Sequence, residues 1–185
     1  MRPLRIIDSA YHRLAEVRVV VLFGNLVIVF FLVFAAAIPR SGPEIAALQL
    51  SFTEDRFRDT LADWEPDAID AYREWMWLDY IFPLAYGIFL ASAVALLTAQ
   101  PGLPPTRMQR ALFVMPFAAA PLDYLENTLH LILLRDPDHL AAGMIGLASI
   151  AAAIKWALIG VVFAASVAIF VWRVLAAETL RSRSE

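Results

Sequence analysis

Asp123, Glu126, Asn127 and His130 fall within Pro121-Leu-Asp-Tyr-Leu-Glu-Asn-Thr-Leu-His130, at spacings i, i+3, i+4 and i+7. On a helix that spacing places all four on one face. Two carboxylates, an amide and an imidazole are groups that hold or pass protons, bind a cation or line a polar site. They sit in residues 111–134, a run otherwise long and apolar enough to cross a bilayer. Such a stripe is costly against lipid, so it is expected to turn inward and carry a function or a buried ion network.

Other polar residues fall at matching depths. Asp123 is eleven residues from the end of its span and Lys155 eleven from the start of the next. At ~1.5 Å per residue both lie roughly 16 Å deep, which predicts an Asp123–Lys155 pair. Tyr86 reaches a similar depth, with Asn25 not far below. Asp79 and His130 share a shallower level. Three carboxylates, Asp79, Asp123 and Glu126, then face one lysine, and three acids do not comfortably ionise together in a low-dielectric bundle. A bound proton, a charged His130 or a bound cation would balance them.

The plainer readings are structural. An Asp–Lys pair commonly holds two helices in register. Asp79 is close enough to the aqueous edge to be simply interfacial. Asn127 could serve only to bridge helices, and a lone His130 could be a hydrogen-bonded core residue. Asp123, Glu126 and His130 could together hold a metal, but they lack the spacing of a strong ligand set.

The elements around this layer are apolar blocks of about twenty residues. The chain is 61% hydrophobic and 18% charged, with mean hydropathy +0.65, outside the range of soluble domains. It reads as a single all-α integral membrane domain over residues 1–185, a four-transmembrane-helix bundle. Residues 1–18 form a basic amphipathic cytoplasmic segment. Spans cover 19–38, 78–99, 111–134 and 144–172, and 39–77 form a helical periplasmic loop. The first block reads as an uncleaved span rather than a signal peptide.

Within the loop, Ser51 followed by Glu54 has a capping-box pattern that predicts a helix start. Phe57, Leu61 and Trp64 share a face beyond it. Pro66 suits the first turn of another helix. Trp64, Trp75 and Trp77 suit an interfacial belt. Pro83, Pro116 and Pro121 are candidate kinks. With the N-terminus inside, inner segments hold nine arginines and outer loops five, Arg40 among the outer and Arg183 among the inner. That places both termini in the cytoplasm of a bacterial inner membrane.

Zero cysteines exclude disulfides, thiol nucleophiles and iron–sulfur ligation. His12, His130 and His139 are scattered, so histidine boxes and a bis-histidine haem site are absent. No cofactor or metal is expected. No basic face or aromatic platform supports nucleic-acid binding.

Trp64 with the run Leu78-Asp-Tyr-Ile-Phe-Pro-Leu-Ala-Tyr86, then Asp123-Tyr-Leu-Glu-Asn127, then Lys155-Trp156, resembles a group of uncharacterised bacterial four-span membrane proteins. The resemblance covers residues 50–160 and implies a shared polar layer, with no activity attached. Three functions stay open. One is a binding or accessory protein for a small or lipophilic ligand, lined by Asp79, Tyr86, Asp123, Glu126, Asn127, His130 and Lys155. The second is an acid/base enzyme on an apolar or lipid substrate, with Asp123, Glu126, His130 and Lys155 as catalytic candidates. The third is a proton- or cation-coupled transport element, for which four spans without an inverted repeat are few unless the chain dimerises. The partners expected are the bilayer, a lipophilic ligand, and a second copy or a membrane complex. No nucleophile, cofactor motif or metal box assembles, which places binding first.

Overall fold

The computed structural model describes residues 2–38 and 43–182; Arg40 and Arg183 of the charge count lie outside them. Eight α-helices account for the described chain: α1 Arg2–Leu14, α2 Val17–Ala37, α3 Pro43–Gln49, α4 Glu54–Ala62, α5 Pro66–Trp75, α6 Phe82–Thr98, α7 Arg107–Leu133 and α8 Ala142–Ser182. A 3-10 turn, Met76–Tyr80, joins α5 to α6. No strand occurs among the described residues.

Two helices are long and apolar enough to cross a membrane, α2 and Ala142–Ala177 of α8. A third candidate is the pair Asp67–Tyr80 and Phe82–Thr98, bent by 45°. The bend falls at the Ile81–Pro83 junction, where Pro83 starts α6 but lacks an N–H to continue the preceding turn. α7 is long enough, but its polar stripe lowers its hydropathy below that of the others. It runs unbroken through Pro116 and Pro121.

α7 packs between α6 and α8, and α2 packs on α6. Small side chains allow the close approach: Ala85, Ala91 and Ala95 on α6, Ala119 and Ala120 on α7, and Ala148, Ala151 and Ala152 on α8 are all buried. One residue of α2, Phe30, is buried. Gly24 sits where α2 crosses α6, and a Cβ there would lie 3.0 Å from Phe89 Cε2. α3, α4 and α5, with the turns that follow α4 and α5, cover one end of the bundle through Leu48, Phe57, Leu61, Trp64, Tyr72 and Met76, packed on Leu133, Leu134 and Ile145.

Three local expectations change. The helix start after residue 50 is present as α4, but Thr53 is its cap, accepting from Arg56 N–H at 3.3 Å. Ser51 instead donates to the Ala47 carbonyl at 2.9 Å and closes α3. Trp64 is buried in the insert core rather than in a belt, while Trp77 is exposed and stacks on Trp75. α8 continues past residue 172 to Ser182, since Ala, Leu and Glu extend a helix after the apolar run ends. Its 41 residues amount to ~62 Å, well beyond a hydrocarbon core of about 30 Å.

α1 is docked as well as amphipathic. Tyr11 is buried against Phe113, and its hydroxyl lies 2.6 Å from Thr98 Oγ1. Asp8 takes a two-pronged ion pair from Arg110 at 2.6 and 3.0 Å.

Candidate functional site

The stripe on α7 turns inward. Asp123, Glu126, Asn127 and His130 are all buried, as is Lys155 on α8. Their 3.6-residue spacing points them at the seam with α8, and the alanines around them bring the two backbones close enough for a lysine to bridge. Lys155 Nζ donates to Asp123 Oδ1 at 2.9 Å. It also lies 2.6 Å from Glu126 Oε2, an ion-pair approach off the line of a hydrogen bond. Tyr86 on α6 donates to the other Asp123 oxygen at 3.0 Å. One carboxylate thus ties three helices, α6, α7 and α8.

A second set lies toward the insert. Asn127 donates its amide to the Asp79 backbone carbonyl at 3.2 Å, pinning the 3-10 turn to α7. Tyr72 OH is 3.3 Å from His130 Nδ1, and the Phe57 ring centroid is 5.9 Å from that imidazole. Glu126, His130 Nε2 and Asn127 Oδ1 have no hydrogen-bond partner of good geometry. Such buried groups are costly, and their concentration in one layer marks the site.

A cavity of about 520 Å³ opens beside this layer. Its floor is polar: Asp79, Tyr86, Asp123 and Lys155. Its walls are apolar, with Val27, Phe31 and Phe34 from α2, Phe82 and Phe89 from α6, and Trp156, Ile159 and Phe163 from α8. Ile45, Ala46 and Gln49 of α3 complete the lining. Trp156 Nε1 donates to Gln49 Oε1 at 3.1 Å, linking α8 to α3 at the rim. The floor residues Asp123 and Lys155 are each 3% exposed, whereas Phe31 and Phe163 are each 58% exposed. The cavity therefore runs from a polar floor, with Asp123 and Lys155 buried and Asp79 half-buried, to an apolar outer surface between α2 and α8.

The sequence-derived residues divide accordingly. Asp79, Tyr86, Asp123 and Lys155 line the cavity. Glu126, Asn127 and His130 stand behind it, supporting Lys155, Asp79 and Tyr72 in turn. Asn25 does not join the layer: it is exposed on α2, with its amide donating to the Val21 carbonyl of its own helix at 2.7 Å. Among the described residues no group of three or more His, Asp or Glu side chains is placed to hold a metal ion. Beyond Trp156 beside Lys155, nothing in the sequence marks the aromatic walls, Tyr72 or Gln49 as part of a site.

No family model, curated protein or solved structure matches this chain.

Proposed function

We propose that the chain is a four-span membrane protein that binds a small lipophilic molecule in the cavity between α2 and α8. The spans are α2, α6 with the bent segment before it, α7 and α8. The arginine count favours a bacterial inner membrane with both termini cytoplasmic and α3 to α5 periplasmic. α7 joins the spans because it packs between α6 and α8 and hides its polar stripe against them.

The observation that carries the binding reading is the cavity itself. Apolar walls with a few convergent polar groups are the usual make-up of a small-molecule site. Its rim residues Phe31, Trp156 and Phe163 lie on the outer surfaces of two helices that would face acyl chains. A ligand dissolved in the bilayer could therefore slide in sideways, head toward Lys155 and Asp123. Lys155 is already held by two carboxylates, which favours a binding floor over a free catalytic base.

Two measurements test this. The chain contains no cysteine, so single cysteines report sidedness cleanly. Cysteines at Ser9 and Gln100 should react with an impermeant maleimide from one face, and those at Asp63 and Asp138 from the other. Native mass spectrometry of protein purified in mild detergent should show a retained apolar adduct that Ala35→Trp, which fills the cavity, removes. An adduct unchanged in Ala35→Trp overturns the site.

A further inference from the structure

We propose that the molecule held in this cavity carries a cationic amine head that pairs with Asp79. This rests on the binding reading above and narrows it to one ligand class. Asp79, Asp123 and Lys155 line the same cavity. The single positive charge of Lys155 is already shared between Asp123 at 2.9 Å and Glu126 at 2.6 Å. Asp79 has no Lys, Arg or His nitrogen at ion-pair distance among the described residues. Asn127 meets the Asp79 backbone carbonyl with its amide at 3.2 Å and also lies within hydrogen-bonding reach of the carboxyl, which fixes the turn but brings no charge.

The formal count is three carboxylates against one ammonium. Asp79 is half-buried; a partly desolvated carboxylate without a counter-charge is costly, and a cation delivered by the ligand offsets that cost. An anionic head adds to the excess. A bare metal ion fits poorly, because no three ligand side chains converge among the described residues.

The walls make an independent case. Tyr72, Phe82 and Tyr86 line the cavity near Asp79, with Phe34 and Trp156 further out. Aromatic faces attract ammonium groups, most strongly where water is excluded. One ring already lies beside an ammonium there, with Lys155 Nζ 5.2 Å from the centroid of its chain neighbour Trp156. An alkyl ammonium would donate to Asp79 and lie against these rings, with its chain following Phe31 and Phe163 toward the rim.

The test uses three chain-matched probes: dodecylamine, dodecanol and dodecanoate. Each is presented to the protein in neutral phosphatidylcholine nanodiscs, and occupancy is read by native mass spectrometry. The amine should bind about tenfold more tightly than the alcohol, the worth of one charge-assisted hydrogen bond, with dodecanoate weakest. Asp79→Asn should bring the amine down to the alcohol's level and leave the alcohol unchanged. Its helix content and melting temperature, compared with wild type, establish that it is folded. Ala35→Trp should abolish both. Equal amine and alcohol affinity in the wild type, or an amine preference surviving in Asp79→Asn, overturns the head-group assignment while leaving the cavity reading intact. Failure of all three probes to bind overturns both.

Discussion

Replacing Lys155 by methionine removes one positive charge from beneath two buried carboxylates and keeps much of the side-chain volume. Asp123 retains the Tyr86 hydroxyl at 3.0 Å, but Glu126 loses the one positive charge at ion-pair distance from it among the described residues. Breaking a buried ion pair from one side costs about 3–5 kcal/mol, because the remaining charge stays desolvated. Exposures of 3% for Lys155 and 0% for Glu126 place this pair at the upper part of that range. Removing the stranded charges should reverse the effect. Lys155→Met with Glu126→Gln should recover about half. The triple variant that adds Asp123→Asn should return to within ~1–2 kcal/mol of wild type, since a neutral replacement for a whole buried network is often near-neutral. The assay is reversible unfolding in mixed micelles with increasing sodium dodecyl sulfate, followed by helical circular dichroism. A Lys155→Met loss below ~1 kcal/mol would refute the reasoning. So would a triple variant no better than the single one.

Four further outcomes follow from other parts of the structure. Gly24→Val should push Phe89 off the α2 crossing into the cavity, costing about 1–3 kcal/mol by overpacking and lowering ligand occupancy in native mass spectrometry. Arg110→Ala should free α1, seen as faster hydrogen exchange over Arg2–Leu14. It should also raise the Asp8 pKa toward its ordinary value, because the Arg110 hydrogen bond is the main influence holding it down. His139 should titrate above its ordinary value by NMR, since the hydrogen bond its imidazolium donates to the Asp136 carboxylate favours the charged form, and Asp136→Asn should remove the upward shift. The sign is that of a raised pKa: the contact is fully present in acid and is lost as pH rises through the folded value. Gln49→Ala should leave Trp156 Nε1 without its acceptor and loosen α3, giving faster ligand exchange with little change in helix content.

The polar layer was legible because charges inside apolar runs are conspicuous and their helical spacing is unambiguous. Asp123, Glu126, Asn127 and His130 share a buried face as their spacing requires, and the depth match of Asp123 with Lys155 corresponds to a 2.9 Å contact. The same method misplaced Asn25. One amide that can bond its own helix carbonyl four residues back needs no partner elsewhere, so depth alone carries no direction. Ser51 and Thr53 are both competent caps two residues apart, and tertiary contacts chose between them: the Phe52 N–H donates to Ser149 on α8 at 3.0 Å. The cavity was out of reach because it is a property of how α2, α3 and α8 sit apart. Phe31, Phe34 and Phe163 look in the sequence like any other apolar residues of their helices.

The central claim is that a lipid-phase molecule occupies the cavity reversibly, and saturable photolabelling tests it most directly. The protein in nanodiscs is exposed to an alkyl diazirine, with and without excess unlabelled dodecanol, and labelled residues are mapped by peptide sequencing. The account predicts that labelling of Phe31, Trp156 and Phe163 saturates, is competed by dodecanol and disappears in Ala35→Trp. Labelling of the outer α2 residues Leu22 and Val29 should rise linearly throughout. Uniform, non-saturable labelling of both sets would contradict the account.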